Sequence, residues 1–214
     1  MAYLPRVGEV PLSVYYRRGR ILKFLVEDYG GVSTKVVGVR PSSVLAVRGP
    51  YGHGFGLESG KSYMLVAGGS GAPPVINFIR TARKLARTRF TYILGARTAD
   101  QLFLLKEVEK LGAQVFPATD DGSMGFAGNA VSLAESLLED SHYDALYACG
   151  PESMLESARE LAEKKKIRYE GSYVRDVRCA VGICGLCVME GRGLLVCADG
   201  PVFTGEVLAA GIRK

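Results

Sequence analysis

The chain has 214 residues, of which 48% are apolar and 23% are charged, with a net charge of +5. This balance fits one or two packed domains and excludes a disordered chain. No segment approaches the roughly 20 consecutive apolar residues of a membrane span, and the N-terminus lacks the charged-then-apolar order of a signal peptide. Basic residues are scattered rather than gathered in one stripe, which argues against nucleic acid as a partner. We therefore expect a cytoplasmic protein that binds neither membrane nor nucleic acid.

Residues 1–61 contain three short strand-like runs, "PLSVYYRRG", "RILKFLVED" and "SVLAVRGPYG", which are separated by Gly and Pro. None of them shows a long helical period, so this region is predicted to form part of an antiparallel sheet or barrel. Three strands are few for a barrel on its own. The region is therefore expected either to lean on the following domain or to be incomplete.

Residues 62–167 alternate short apolar runs with helical patterns. The first pair is a buried strand over 62–68 and a helix over 73–86 that opens with proline. Three further pairs follow, with strands over 89–97, 113–121 and 143–150 and helices over 99–112, 128–139 and 151–166. Four such units predict a doubly wound parallel sheet with helices on both faces.

Residues 168–214 are glycine-rich and carry four of the five cysteines, Cys179, Cys184, Cys187 and Cys197. Apolar periodicity is too low there for an independent core, so we expect something other than hydrophobic burial to hold this region together. The spacing C-x4-C-x2-C, with a fourth cysteine after nine intervening residues, is typical of plant-type [2Fe–2S] ligands. Gly182 and Gly185 suit a tight loop whose N–H groups face sulfur.

Two other interpretations of these cysteines are a zinc site and disulfides. Zinc sites usually combine two C-x2-C pairs, and disulfides are rare in the cytoplasm. The spacing therefore favours an iron–sulfur cluster over both.

Two glycine motifs follow strands of the predicted parallel sheet. In "AGGSGAPP" (67–74), Gly68, Gly69 and Gly71 would let backbone N–H groups and a helix N-terminus approach a pyrophosphate. In "ACGPESM" (148–154), Cys149 and Gly150 end the last strand and point to the same crevice. The first motif does not match G-x-G-x-x-G, and taken alone it could be a simple turn. Taken alone, Cys149 could be an ordinary small buried cysteine.

Further motifs accompany these in chain order: "PLS" (11–13), "GVST" (31–34), "RGPYGHGF" (48–55), "TDDGSMGFAG" (119–128) and "CADGPVF" (197–203). Together with the cysteine loop they resemble the ferredoxin-NAD(P) reductase-like superfamily. Within it, they are similar to the electron-transfer subunits of two-subunit, NAD-linked dihydroorotate dehydrogenases. The resemblance covers nearly the whole chain, and the combination is specific where no single motif is.

The resemblance implies three domains: an FAD-binding β-domain over 1–61, an NAD-binding α/β domain over 62–167, and a [2Fe–2S] lobe with a tail over 168–214. It implies flavin contacts at Pro11, Leu12, Ser13, Gly31, Ser33 and Thr34. It implies nicotinamide-nucleotide contacts at Gly68, Gly69, Gly71, Thr119, Asp120 and Asp121, with Cys149 and Gly150 near the nicotinamide. The four cysteines of the loop match the cluster ligands.

The function that this resemblance implies is conversion between two-electron and one-electron transfer. A hydride passes between nicotinamide and flavin, and the flavin exchanges single electrons with the cluster. The cluster faces a catalytic dihydroorotate dehydrogenase subunit that carries FMN, in a heterotetramer that serves pyrimidine biosynthesis. The chain itself would supply no catalytic acid or base, in keeping with its two histidines.

The sequence departs from the family pattern at two points. Val10 and Glu9 stand where an arginine usually precedes the Pro-x-Ser triplet, and roughly three further strands usually come before it. We expect that a partner chain completes this edge or that the flavin is held more loosely. Arg97, just past the second strand of the sheet, leaves NADP open beside NAD.

Two alternative functions fit parts of the same pattern. One is the flavin and iron–sulfur subunit of a cytoplasmic hydrogenase or sulfide dehydrogenase, whose cysteine loop is similar. The other is a non-enzymatic nucleotide-binding module that is stabilised by zinc and regulates a partner.

Overall fold

The computed structural model describes residues 1–211. Its strands are β1 (Ala2–Leu4), β2 (Gly8–Val10), β3 (Val14–Arg18), β4 (Ile21–Phe24), β5 (Ala46–Val47), β6 (Ser62–Gly68), β7 (Arg89–Ala96), β8 (Gln114–Thr119), β9 (Phe126–Ala127), β10 (Ala145–Cys149), β11 (Arg168–Ser172) and β12 (Val202–Thr204). Its helices are α1 (Val32–Val37), α2 (Ala72–Ala82), α3 (Leu105–Glu109), α4 (Ala130–Asp140), α5 (Glu152–Lys165) and α6 (Gly205–Ala210). Across residues 1–211, no helix has both the length and the apolar composition needed to cross a membrane.

The central sheet runs in the order β12-β11-β10-β6-β7-β8-β9. Neighbouring strands are parallel except β11 and β12, which are antiparallel. Every residue of β6 is buried because helices cover both faces, and this strand therefore lacks polar alternation. The doubly wound sheet predicted from the sequence is confirmed, and β6 begins and ends at the predicted residues.

Two apolar layers lie on either side of this sheet. On one side, Ile76 of α2 packs in the same cluster as Leu65. On the other side, Leu133 of α4 and Leu155 of α5 pack in the same cluster as Val66. Successive side chains of a strand point to opposite faces, so Leu65 and Val66 belong to different layers.

The helix predicted over 99–112 is interrupted. A 3-10 turn over Ala99–Gln101 comes first, and α3 begins only after Leu104, whose φ of 59° cannot continue a right-handed helix. Leu102 and Leu105 nevertheless pack against the same core, so the leucine spacing looks helical although the backbone breaks between them.

Residues 1–61 form a small sheet in the order β2-β1-β5 and a separate hairpin of β3 and β4. Both are antiparallel, as predicted. The six-residue helix α1 and the three-residue strands β1 and β2 are additions to the prediction. Elements this short leave no readable period in the sequence.

The hairpin leans on α2, as expected for this region. Tyr15 of β3 is buried, its hydroxyl donates to Glu107, and Arg80 of α2 forms an ion pair with the same carboxylate. The Arg80 guanidinium also lies 5.2 Å from the ring centroid of Tyr15 and 5.0 Å from that of Tyr16. These contacts fix the hairpin on the α/β part of the chain.

The C-terminal segment continues the central sheet through β11 and β12. Leu194, Val196 and Phe203 are buried in the same layer as Leu155. The expectation that something other than hydrophobic burial holds this segment is wrong, because its apolar residues extend an existing core instead of building a separate one. The expected boundary at residue 167 falls between α5 and β11, two adjoining elements of the α/β layers. Residues 212–214 of the expected C-terminal lobe lie outside the described residues.

Truncation of Leu194 tests this shared core. Leu194→Ala removes a side chain that is 5% exposed, and it should lower the free energy of unfolding by about 2–4 kcal/mol. Ile183→Ala, in the same segment but 83% exposed, should change it by less than about 0.5 kcal/mol. Urea unfolding of both variants measures the difference, and equal effects would contradict a shared core.

Candidate functional site

The four cysteines of the C-terminal segment lie close together as two pairs. Cys179 and Cys184 form one pair, in which the backbone and side chain of Cys184 both help to lower the pKa of Cys179. Cys187 and Cys197 form the other, in which the Cys197 N–H donates to Cys187 Sγ at 3.4 Å. None of the four is in a disulfide, and Cys184 is exposed whereas Cys187 and Cys197 are buried. One pair therefore lies toward the surface and the other within the core.

Backbone N–H groups surround the sulfur of Cys179 in the outer pair. Cys179 Sγ accepts the N–H of Val181 at 3.5 Å and that of Ile183 at 3.4 Å. The N–H groups of Val181, Cys184 and Ile183 lower the pKa of Cys179 to about 6, because they stabilise the thiolate. The thiolate is the form of cysteine that binds metal.

Gly182 links the two pairs. Its N–H donates to Cys197 Sγ at 3.3 Å. Its φ is 77°, which glycine adopts without strain, and a β-carbon there would lie 3.0 Å from the Ala198 β-carbon. At Gly182 the loop therefore has the N–H group facing sulfur that the sequence predicted.

The pairwise arrangement bears on which metal centre the cysteines could hold. Among residues 1–211, no three His, Cys, Asp or Glu side chains converge closely enough for a single metal ion such as zinc. In a four-cysteine [2Fe–2S] cluster each iron takes two thiolates, and these four cysteines are grouped two by two. The donor set therefore fits a [2Fe–2S] cluster.

The glycine turns that follow β6 and β10 are in contact. A β-carbon at Gly71 would overlap the carbonyl of Cys149, and one at Gly68 would lie 3.0 Å from Met154 Sδ. The parallel pairing of β6 with β10 brings both carboxyl ends to one edge of the sheet. Gly68, Gly71, Cys149 and Gly150 thus meet beside the first turns of α2 and α5.

Gly69 leaves the backbone of the turn between Gly68 and Gly71 accessible. It has a φ of 49°, it is exposed, and no heavy atom lies within 4 Å of the position of a β-carbon. The backbone of the turn can therefore be approached from this side, as binding of a pyrophosphate requires.

Thr119, Asp120 and Asp121 lie at the same edge, at the end of β8 and two strands from β6. The buried hydroxyl of Thr119 accepts the N–H of Met124 at 3.0 Å and donates to its carbonyl at 2.9 Å. Asp121 accepts the hydroxyl and N–H of Ser123 at 2.6 and 2.9 Å, and these bonds lower the pKa of its carboxyl. Thr119 therefore holds the turn, while both aspartates are exposed.

The Cys149 side chain is buried in the core layer that contains Tyr92. Burial raises the pKa of the Cys149 thiol to about 12. The backbone carbonyl of Cys149 meets the glycine turn at Gly71. Any role at a nicotinamide would therefore fall to this backbone and to Gly150.

The residues expected to contact a flavin lie in two connections of the first region. Pro11, Leu12 and Ser13 join β2 to β3, with Pro11 and Ser13 exposed and Leu12 half-buried. Gly31 precedes α1 with a φ of 59°. The two connections are separate in the fold, since one joins β2 to β3 and the other leads into α1. Within the described residues, no hydrogen bond joins them.

The side chains of Ser33 and Thr34 are engaged within their own loop. Ser33 Oγ accepts the Tyr29 N–H at 2.9 Å and donates to the Gly30 carbonyl at 2.8 Å. The Thr34 hydroxyl donates to Asp28 at 2.5 Å. Buried Ser33 shapes the loop, whereas Thr34 is exposed.

Two links between these regions have no signal in the sequence. The hydroxyls of Tyr29 and Ser70 lie 2.7 Å apart and join the loop before α1 to the glycine turn. Arg48 binds Glu9 and the carbonyl of Cys179, and so joins the first region to the cysteine loop. Ser70, Arg48 and Cys179 lie in motifs noted above, but no local pattern predicts these contacts, because the partners are 41 and 131 positions apart.

Comparison with known protein families matches both the cysteine loop and the glycine turns. A model described as the iron-sulfur cluster binding domain of dihydroorotate dehydrogenase B matches residues 175–209, and one described as the oxidoreductase NAD-binding domain matches residues 65–160. The probable dihydroorotate dehydrogenase B (NAD(+)), electron transfer subunit, of Methanopyrus kandleri is 38% identical over 212 residues, which cover 97% of this chain and 80% of that protein. A protein of the same description from Thermococcus kodakarensis is 38% identical over 208 residues, which cover 97% of this chain and 84% of that protein.

Solved structures show the same architecture. The NADH-dependent reduced ferredoxin-NADP oxidoreductase, studied for flavin-based electron bifurcation, has a TM-score of 0.82 at 25% identity, over 93% of this chain and 74% of that chain. The flavohem-like FAD/NAD binding domain of nitric oxide dioxygenase from Vibrio cholerae shares the fold, with a TM-score of 0.56 at 22% identity over 75% of each chain. Fold and site together define an iron–sulfur oxidoreductase of the ferredoxin reductase type.

Within that class, the two relatives above fix the family. The chain belongs to the electron transfer subunits of dihydroorotate dehydrogenase B (NAD(+)).

Gly71→Ala tests the contact between the two glycine turns. The added methyl group would overlap the Cys149 carbonyl and displace the turn after β10. We expect the free energy of unfolding to fall by about 1–3 kcal/mol, and NADH binding to weaken. Gly205→Ala is the matched control, because the nearest atom to its β-carbon would be Tyr169 Cβ at an ordinary 3.7 Å. Thermal unfolding and NADH titration of both variants check the prediction, and equal effects would refute it.

The buried thiol of Cys149 should resist alkylation. Its raised pKa means that it stays protonated at pH 8, and the core excludes the reagent. In the metal-free chain, exposed Cys184 should react with iodoacetamide within minutes while Cys149 stays unmodified until the chain unfolds. Mass spectrometry of the native and urea-unfolded protein measures this, and similar labelling of both cysteines in the native chain would contradict it.

Proposed function

We propose that this chain carries a [2Fe–2S] cluster and FAD, binds NAD, and transfers electrons between NAD and a catalytic dihydroorotate dehydrogenase subunit. The observation that carries the proposal is the position of the two thiol pairs. They lie on the connection between β11 and β12, two strands of the sheet that also bears the glycine turns. A nucleotide site and a surface cluster would therefore share one rigid support.

The proposed cluster ligands are Cys179, Cys184, Cys187 and Cys197. When bound, the cluster supplies one-electron transfer. The chain's own contribution is to favour the thiolate of Cys179 through backbone donors and to keep the inner pair away from water. The exposed side chains of Ile183 and Leu186 flank Cys184 in sequence and leave this edge accessible to a partner.

The proposed nicotinamide-nucleotide contacts are Gly68, Gly69, Gly71, Thr119, Asp120, Asp121, Cys149 and Gly150. The backbone N–H groups of the glycine turn and the N-terminus of the eleven-residue helix α2 suit a pyrophosphate. We assign Thr119 and Cys149 a shaping role, since the hydroxyl of the first and the thiol of the second are buried. The remaining residues would meet the ligand directly.

The proposed flavin contacts are Pro11, Leu12, Ser13, Gly31, Ser33 and Thr34, within the proposed FAD region 1–61. Ser33 would act by holding the loop, because both of its hydrogen bonds are internal. The proposed nucleotide and cluster regions remain 62–167 and 168–214. In all three regions the chain binds and orients cofactors, and no side chain is assigned the role of catalytic acid or base.

The proposed partner is a catalytic dihydroorotate dehydrogenase subunit that carries FMN, assembled with this chain in a cytoplasmic heterotetramer. Electrons from dihydroorotate would reach this chain and leave it on NAD+. The pathway served is pyrimidine biosynthesis.

Purification of the native complex tests the function. We expect a coloured protein with about two iron and two sulfide per chain, FAD bound, and a second subunit with FMN. NAD+ reduction by dihydroorotate should require both subunits. A nickel or second iron–sulfur partner would support the hydrogenase-type alternative, and a colourless chain with zinc and no flavin would support the regulatory one.

Cys184→Ser tests the ligand assignment. Loss of one thiol should abolish most of the visible absorbance of the cluster and expose residues 174–186 to protease. Residues 187–208 should stay protected, because Leu194 and Phe203 are packed in the main core. Cys149→Ala is the matched control and should keep the cluster absorbance. Cleavage spread over the whole of 174–208 in Cys184→Ser would show that the cluster, not the apolar core, holds this segment.

A further inference from the structure

Arg48, directly after β5, engages every one of its five side-chain N–H groups. Nε and Nη2 donate to the two carboxylate oxygens of Glu9, at 2.6 and 2.7 Å. Nη1 donates to the Tyr51 hydroxyl and to the Cys179 carbonyl, each at 3.0 Å. Nη2 also donates to the Arg178 carbonyl at 3.1 Å. One guanidinium therefore holds four residues from three separate parts of the sequence.

The acceptors of Arg48 belong to two bodies of the fold. Glu9 lies in β2 and Arg48 adjoins β5, both in the small sheet of the proposed flavin region. The backbone N–H of Arg48 donates to the Met1 carbonyl at 3.0 Å, which anchors the arginine to this sheet. The carbonyls of Arg178 and Cys179, in contrast, belong to the cysteine loop. Arg48 thus ties the start of the cysteine loop to the small sheet of the proposed flavin region.

Arg48 acts at a point where the loop changes direction. Ala180, the next residue, has a φ of 64°, which is unfavourable for a side chain with a β-carbon. Immediately beyond it, the N–H groups of Val181 and Ile183 turn back to Cys179 Sγ. Fixing the Cys179 carbonyl therefore fixes the orientation of the first proposed ligand.

We propose that Arg48 is a positioning residue for the cluster. Arg48 holds Cys179 in place and puts a positive charge, partly offset by Glu9, beside this ligand. The proposal rests on the proposed function, since it presupposes a cluster at these thiols. Reduction adds one negative charge to the cluster, and a nearby cation stabilises the reduced form. Glu9 offsets that cation, so the two residues should shift the reduction potential in opposite directions.

The test is a redox titration of the full-length, cluster-loaded chain, followed by electron paramagnetic resonance. For Arg48→Gln, the ratio of reduced to oxidised cluster at the wild-type midpoint should fall by about three- to tenfold, because Glu9 is left uncompensated. Glu9→Gln should raise the same ratio. Arg40→Gln is the control, since it removes an equal charge from an exposed position in the same region.

Arg48→Lys separates charge from position. Lysine keeps the charge but cannot reach a carboxylate and two carbonyls together, because its ammonium is a single point. We expect its potential to stay close to that of the wild type, while the resonance broadens and protease cleavage within 174–186 increases.

The outcomes separate this proposal from the proposed function. A wild-type chain without iron, sulfide or a reduced-state resonance overturns the proposed function itself. A wild-type chain with a normal cluster, together with Arg48→Gln and Glu9→Gln variants that match Arg40→Gln in potential and proteolysis, overturns the role of Arg48 alone. If Arg48→Gln does not fold, the other two variants provide the test. An unchanged potential in Glu9→Gln together with an unchanged spectrum in Arg48→Lys would overturn the proposed role of Arg48.

Discussion

The pairing of β11 with β10 and of β12 with β11 is the constraint on which the proposed cluster site depends. These strands hold both ends of the cysteine-bearing connection, and the Tyr173 N–H donates to the Pro201 carbonyl at 2.8 Å just inside them. A long, glycine-rich connection would otherwise be costly to order. Because its ends are fixed and Leu194 and Phe203 enter the main core, only the outer thiol pair is left on an exposed arm.

The same sheet also supports the glycine turns. β6 and β10 are neighbours although about eighty residues separate them, and their parallel pairing brings Gly71 against the carbonyl of Cys149. The thiol of Cys149 is buried next to this contact. The glycine turns of the proposed nucleotide site therefore offer mainly backbone groups, so that the size of side chains there is strictly limited.

The first region is attached to this frame both by apolar contacts, with Phe55 stacked on Tyr147, and by polar side chains. Tyr15 and Arg80 meet at Glu107 under the hairpin, Tyr29 reaches the glycine turn, and Arg48 reaches the cysteine loop. Partly exposed ion pairs contribute little to stability one at a time. Here these contacts set orientation rather than stability, since a planar guanidinium with several fixed acceptors defines the orientation of the groups it joins.

The sequence by itself determined the doubly wound sheet and the four thiols, because strand–helix periodicity and cysteine spacing are local properties that survive without knowledge of the fold. It also indicated the glycine turns, since glycine is needed wherever backbone approaches backbone. Only the tertiary structure decided how the thiols pair, that Leu194 belongs to the main core, that Cys149 points inward, and that Arg48 spans Glu9 and Cys179. Each of these depends on contacts between distant segments, whose geometry is set by strand order and register rather than by neighbouring residues.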